Sequence, residues 1–351
     1  MPDPAGQALV RGPDPQANVA EVLDVVAVGS ALVDVIVRAT EDDLSSLGLI
    51  KGSMSLVDRA RAEAIGTGVQ GSVERSGGSA ANTVAGVASL GGSAGFVGKV
   101  VGDRLGEVFA KEIRASGVTF EPIGDRPGDE RVGTGRCLVL VTEDAERTMA
   151  TYLGASTTIE PADVPLDLVA RSQVVYLEGY LWDLPPAIEA MRRAIEAGHE
   201  GGASVALSLS DPFCVQRHQH EFLELVHHDL DILFANEEEL VGLFGASGFD
   251  AALGSAEETG LLVAATRGPK GSVVTTPHGS VAVEAQPVER VLDTTGAGDL
   301  YAAGFLYGLT HGADPARCAA LGGLCAAEVI SHFGARPEED LRALAAARGL
   351  L

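Results

Sequence analysis

Aromatic side chains are scarce: 10 Phe, 5 Tyr and 1 Trp make up 5% of the 351 residues. Any core must be built from Ala, Val, Leu and Ile, which the 46% hydrophobic content can supply. Cysteine is scarcer. Cys137, Cys214, Cys318 and Cys325 lie apart with no CxxC pair, which argues against a zinc knuckle or a disulfide framework. Cys318 and Cys325 fall in an Ala/Leu-rich helical pattern and read as core. Positive charge is also short, 25 Lys and Arg against 49 Asp and Glu, for a net charge of −24. That balance disfavours non-specific binding to nucleic acid or an anionic membrane, because both need cations to neutralise phosphates. It still admits a small anionic substrate held by a local cluster of donors. No uninterrupted apolar run is long enough to span a bilayer. Residues 1–20 lack the basic start and apolar stretch of a signal peptide and read as a disordered tail, with the cytoplasm as the expected location. Neither GxxxxGK[ST] nor a strand–GxGxxG–helix unit occurs, so the commonest phosphate and dinucleotide cradles are missing.

What is present is a rhythm. Asp24–Gly29 (DVVAVG) is a continuous apolar run ending in Gly, the pattern of a strand buried on both faces. Similar runs recur at Gln173–Leu177, Val205–Leu209, Ile232–Ala235 and Leu261–Ala265, with helical patterns between them at Pro185–Ala197 and Gln219–His228. This alternation predicts an α/β fold: a doubly wound, mostly parallel sheet with helices on both faces. Val33–Leu56 and Thr134–Tyr152 break the rhythm with β-branched residues and turn signals. Gly135–Val141 and Arg147–Tyr152 resemble a hairpin around Glu143–Glu146. These segments predict a small β-sheet lid, placed at about 34–60 and 131–153 within a single domain covering 21–351.

Five segments carry chemistry. In Asp293–Leu306 (DTTGAGDLYAAGFL), a glycine turn opens a small-residue helix, and free N–H groups at a helix start favour an anion. Asp299 stands beside that anion site, placed to take a proton from a hydroxyl attacking a phosphoryl group. The bland alternative is an N-cap after a Gly-rich turn. In Ser76–Gly92, Gly77 and Gly78 open a second helix, and Asn82 in its first turns can hydrogen-bond substrate hydroxyls; tight helix–strand packing would leave the same letters. Asp34, in Gly29–Asp34, falls where the first strand emerges and can accept two hydrogen bonds from a diol, or is an ordinary strand-end turn residue. Asn236 and Glu239, in NEEE, share a helical face suited to hydrated Mg²⁺, and equally spell a helix cap. Thr266–Ser272 (TRGPKGS) is a Gly-rich loop at a strand end, where α/β sheets bind ligands. His218, His220, His227 and His228 crowd one segment, but HExxH is absent and a surface helix is the expectation there.

Together and in this order, the five segments resemble the ribokinase-like carbohydrate kinases (phosphofructokinase-B type) over about residues 24–340. The resemblance implies ATP and Mg²⁺ as cofactors, Asp299 as catalytic base, and the amides of Gly296, Ala297 and Gly298 as an anion hole. It places Asp34, Gly77, Gly78 and Asn82 on the sugar hydroxyls. Asn236, Thr266, Gly268 and Gly271 would line the nucleotide site, with Asn236 and Glu239 organising Mg²⁺ through water. Asp293 and Thr295 resemble positions that hold a monovalent cation, K⁺, in some members. Arg147–Ser156 (RTMATYLGAS) and His332–Pro337 (HFGARP) are similar to the adenosine kinase-like branch, where Tyr152 in the lid would pack on a purine. The expected reaction is phosphorylation of a primary hydroxyl, adenosine to AMP. The alternatives are a ribokinase- or fructokinase-type sugar acceptor, or a silent nucleoside- or sugar-binding protein. A lid edge free to pair leaves monomer and homodimer both open.

Overall fold

The computed structural model describes residues 22–67, 73–123, 126, 128–144 and 146–351; the expected tail at 1–20 lies outside them. The chain enters with β1 (Leu23–Val28) and crosses to a second sheet through β2 (Leu32–Arg38), α1 (Glu41–Ser46), β3 (Met54–Leu56), α2 (Arg59–Thr67) and β4 (Val73–Gly77). Helix α3 (Ser79–Ser89) returns it to β5 (Ala94–Val97). Helices α4 (Arg104–Ala115) and α5 (Asp129–Val132) then lead to the hairpin β6 (Gly135–Val141) and β7 (Arg147–Tyr152). After α6 (Leu166–Val169), strands and helices alternate: β8 (Ser172–Glu178), α7 (Pro185–Gly201), β9 (Ser204–Ser208), α8 (Pro212–His228), β10 (Ile232–Asn236), α9 (Glu237–Phe244), α10 (Phe249–Thr259) and β11 (Leu262–Thr266). The chain closes with β12 (Ser272–Thr276), β13 (Gly279–Val283), α11 (Ala297–Thr310), α12 (Pro315–Val329) and α13 (Leu341–Ala347).

The main sheet has the order β13-β12-β11-β10-β9-β8-β1-β5. From β11 through β5 every pair is parallel, and β12 and β13 add an antiparallel edge. Side-chain alternation explains the unbroken apolar runs. Val25, Ala27 and Tyr176 face one core with α3, α11 and α12. Val26, Val28 and Leu177 face the other, with α7, α8 and α10. Both faces are covered, so neither set of positions is free to be polar.

β1 lies between β8 and β5, so the chain leaves its carboxyl end at the point where strand order reverses. Ligands of open α/β sheets settle in the crevice at such a point. Gly29–Asp34 follows directly from it.

The second sheet has the order β3-β7-β6-β2-β4. It includes the expected hairpin and adds β4, a charged segment (VERSG) that the expected lid boundaries omit. Its register sorts the side chains cleanly. Val33, Val35, Val37, Leu138, Leu140 and Ala150 share a core with Leu44, Ala62 and Ile65 of α1 and α2. On the opposite face, cross-strand pairs align Met54 with Met149, Met149 with Val139, and Val139 with Ile36. Asp34 and Cys137 pair on that same face.

Helix α8 begins earlier than the expected Gln219. The Asp211 side chain caps it by accepting from Cys214 N at 2.6 Å, and the break falls at His218, whose φ is −122°.

Candidate active site

Helix α11 is buried from Leu300 to Leu309. It packs so closely against α12 that a Cβ on Gly304 would meet the Leu321 carbonyl oxygen at 2.5 Å. This anchoring aims its N-terminus at the carboxyl edge of the main sheet. Gly296 caps the helix with φ 79°, in the left-handed region that glycine adopts without strain. The first intrahelical bond runs from Leu300 N to Gly296 O at 2.8 Å, so the amides before it point out of the turn. Ala297 N reaches back to Thr294 O at 3.2 Å, which engages one of the three expected anion-hole amides. A Cβ on Gly298 would meet nothing within 4 Å, so open space lies in front of that turn. Amide donors facing open space at a helix start fit a phosphate.

Asp299 sits in this turn. Its Oδ1 accepts from Ser79 Oγ at 2.6 Å and its Oδ2 from Asn82 Nδ2 at 2.9 Å, which ties α11 to α3. Burial pushes its carboxyl above the usual range, opposed by those two hydrogen bonds and by the charge of Arg336. A partly desolvated carboxylate of this kind is a stronger base than one in water. Asp34 is shifted the same way, up to about 6. Desolvation is the main cause, with Arg336 and Arg147 opposing it and Asp299 and Asp293 adding to it. Gly77 leaves room for Asp34, since a Cβ there would lie 2.5 Å from its Oδ2. Gly78 turns the chain with φ 99°, where a Cβ would strike Ser30 O. Asp34, Gly77, Gly78, Asn82 and Asp299 are therefore one constellation.

Tyr152 does not join it. The β6–β7 register puts Tyr152 opposite Arg136, on the face away from Asp34. Its hydroxyl donates to Val132 O at 2.6 Å and its ring packs on the core. The period-2 alternation of a strand excludes it from the face that carries Met149 and Thr151.

Asn236 and Glu239 form a reciprocal capping box. Glu239 N donates to Asn236 Oδ1 at 2.8 Å, and Asn236 N and Nδ2 donate back to the carboxylate at 2.9 and 2.7 Å. Burial raises the Glu239 carboxyl to about 7. With its oxygens so engaged, Glu239 is suited to a metal's water shell rather than to direct ligation. Thr266 ends β11. The loop after it turns through Gly268 and Gly271, with φ of 56° and 83°. Arg267 lies 3.9 Å over the Phe249 ring and pairs with Glu237 at 3.0 Å. Asp293 and Thr295 are together: Asp293 Oδ1 accepts from Thr295 N and Oγ1 at 3.0 and 2.7 Å. Its Oδ2 accepts from Gly334 N and pairs with Arg147, both at 2.8 Å. Protein donors thus engage both oxygens of the Asp293 side chain. In the histidine segment, His218 pairs with Asp183 at 2.7 Å, and among the described residues no group of three metal-ligating side chains gathers.

Sequence reasoning missed four groups. Ser79 holds Asp299. Arg147 crosses from the small sheet to Asp293. Glu178, at the end of β8, accepts from Ser30 N at 3.3 Å and Ala80 N at 3.1 Å, and burial lifts its carboxyl to about 7. Arg336 reaches the Gly77–Gly78 turn. A visible signal existed for Glu178, a lone charge closing an apolar strand, and for Arg336, a charge inside a Gly/Ala loop.

A two-sheet α/β fold with amide donors at a helix start beside a carboxylate suits phosphoryl transfer. Comparison with known proteins narrows it. The sequence profile of the pfkB family carbohydrate kinases matches residues 23–341, and the chain belongs to that family. It is 29% identical over 267 residues to a 5-dehydro-2-deoxygluconokinase of Bacillus subtilis, covering 73% of this chain and 80% of the relative. An adenosine kinase structure from Sinorhizobium meliloti superimposes with a TM-score of 0.84 at 47% identity, over 94% of this chain and 99% of the other. A probable sugar kinase from Rhizobium etli gives a TM-score of 0.87 at 41% identity, over 95% and 100%. The chain is thus a carbohydrate or nucleoside kinase of the pfkB family, for which ATP is the implied phosphoryl donor. Among the described residues, no helix is long and apolar enough to cross a membrane.

Proposed function

We propose that the chain phosphorylates the primary hydroxyl of adenosine to give AMP. The observation that carries this reading is the face of the small sheet beside Asp34. There Met54, Met149, Val139 and Ile36 lie side by side across four strands, with Met54 43% exposed. Arg147, on the same face, reaches Asp293 in the main domain, so the apolar strip looks toward the site. An apolar strip next to a diol-binding carboxylate suits a ribose that carries a flat, weakly polar base. Phe213, 71% exposed at the start of α8, adds an aromatic group at the same edge of the main sheet.

In this reading Asp34 and Asn82 orient the ribose. Asp299 takes the proton of the attacking hydroxyl, held for that task by Ser79 and Asn82. The free amides at the start of α11 offset charge on the transferring group. Asn236 and Glu239 would organise Mg²⁺ through its water, where it would offset phosphate charge, and the Thr266–Gly271 loop would line the ATP that supplies the phosphoryl group. Asp293 and Thr295 would be the positions beside which a K⁺ is held.

The sugar-acceptor reading draws on the 5-dehydro-2-deoxygluconokinase relative. ADP release from Mg·ATP separates the two when measured with adenosine, inosine, guanosine, cytidine, ribose, fructose and 2-keto-3-deoxygluconate. Preference for adenosine is the expected result. Preference for a free sugar would keep Asp299 in its role and overturn the substrate.

A further inference from the structure

Arg336 lies in the segment between α12 and α13, far in sequence from the Gly77–Gly78 turn that it touches. Its Nε donates to Ser76 O at 3.3 Å and its Nη2 to Ser76 Oγ at 3.2 Å; Nη1 donates to Ala81 O at 2.9 Å. Ser76 is in β4, just before the glycine pair, and Ala81 is in the first turn of α3, just after it. One planar guanidinium therefore spans the junction between the small sheet and the main domain. The same turn of α3 presents Ser79 and Asn82 to Asp299.

The charges around it are unevenly balanced. Asp34 faces Arg336, Arg147 of β7, Asp299 of α11, Asp293 and the Cys137 thiol of β6. Its cross-strand neighbour on β4, Arg75, pairs instead with Glu112 of α4 at 3.5 Å. Asp299 faces Arg336, its partners Ser79 and Asn82, and the titratable Asp34, Glu178, Tyr176 and Tyr180. Among the described residues, Arg336 is the cation that bears on both carboxylates. Burial lowers its own pKa to about 10, against Asp34, Asp299 and Glu112, so it is charged at neutral pH.

We propose that Arg336 is a positioning residue for phosphoryl transfer: its guanidinium clamps the Gly77–Gly78 turn from both sides and brings a positive charge to Asp34 and Asp299. The proposal rests on the reading of Asp34 as diol acceptor and Asp299 as base. A protonated Asp34 would offer fewer acceptor sites to a diol, and a protonated Asp299 could take no proton. Lysine would supply the charge without the planar fork.

The test combines two readouts on the full chain. The first is the pH profile of kcat/KM for whichever acceptor the wild type phosphorylates. The second is the carboxyl ¹³C titration of Asp34 and Asp299, which needs no turnover and so stands even if no acceptor in the panel reacts. Arg336→Met should move the acid limb and both ¹³C midpoints up by about one pH unit or more, each unit being a tenfold change in ionisation. Arg336→Lys should leave the limb within a few tenths of a unit while raising the acceptor KM several-fold. If Arg336→Met does not fold, Arg336→Gln serves as the neutral variant. A folded neutral variant with unmoved midpoints overturns the electrostatic role, and an Arg336→Lys enzyme with wild-type acceptor KM overturns the clamp. Inactive Asp299→Asn beside an unchanged Arg336 profile would sink this inference alone and leave the kinase reading intact.

Discussion

In its proposed role as base, Asp299 has to be a carboxylate at neutral pH and yet basic enough to accept a proton. Its surroundings set both limits. Burial raises its pKa, and Ser79, Asn82 and Arg336 oppose that rise. Asp299→Asn removes the base but keeps a side chain of the same shape. Turnover should fall by roughly 10²-fold or more, and ATP titration should show nearly unchanged affinity; wild-type turnover would remove Asp299 from the role. Tyr152 offers the converse test. It lies on the far face of its strand, with its hydroxyl on Val132 O, so Tyr152→Phe should cost about 1 kcal/mol of stability, the scale of one hydrogen bond. Acceptor KM should stay within about twofold, since an aromatic ring remains and faces away from the site. A large rise in KM would return Tyr152 to the substrate side.

The same residues show why some of the site was legible and some was not. Asp299, Gly296 and Asn82 announce themselves because local backbone demands, a glycine turn and a helix start, leave letters in the sequence. Arg336, Arg147 and Ser79 owe their positions to tertiary contacts across 200 residues or more in two cases, between Ser79 and Asp299 and between Arg336 and Ser76. Arg336 stands out as a charge inside a Gly/Ala loop, but no local pattern encodes which residues it meets. The face that Tyr152 takes depends on register, and a single residue of offset reverses it.

At the scale of elements, continuous apolar runs identified β1, β8, β9, β10 and β11, because a parallel strand covered on both faces has no polar positions. β5 (AGFV) escaped because four small or apolar residues between two helices carry no period. β4 escaped because it sits at an edge, where Glu74 and Arg75 can reach solvent or partners. The small-residue helices form one packed unit. A Cβ on Gly304 of α11 would lie 2.5–2.8 Å from backbone atoms of Leu321 and Gly322 in α12. Backbone cannot swing aside as a side chain can, so Gly304→Ala must push the helices apart. The expected cost is about 1–3 kcal/mol, read as a lower melting temperature. Because α11 carries Asp299 at its N-terminus, turnover should fall along with stability. A variant with full stability would mean that α11 and α12 slide freely, against the close packing of the site's foundation.

Across the whole molecule, the site carboxylates and the net charge act in the same direction. Asp34, Glu178 and Glu239 are raised from ordinary values near 4 to about 6, 7 and 7, and Asp299 is raised as well. Between about pH 4.5 and 7, the folded protein therefore holds protons that the unfolded chain has released. Stability must fall as pH climbs through that window. A net charge of −24 adds self-repulsion as these groups ionise. The melting temperature should thus be higher at pH 5.5 than at pH 8, with part of the difference recovered by salt. Below about pH 4 the slope should reverse, as carboxylates with lowered pKa such as Asp144, held near 2 by Lys51, become protonated. Glu178 is the sharpest single probe, being 2% exposed and away from solvent screening. Its amide analogue can still accept from Ser30 and Ala80 without a buried charge. A shift of this size corresponds to about 3 kcal/mol, so Glu178→Gln should raise the melting temperature at pH 8 by roughly 2–5 °C. At pH 4, where the carboxyl is protonated in the folded protein and mostly so in the unfolded chain, the variant and wild type should melt together. A lower melting temperature for the variant at pH 8 would mean that the charged bonds to Ser30 and Ala80 outweigh desolvation, and that the native protein keeps this carboxylate ionised.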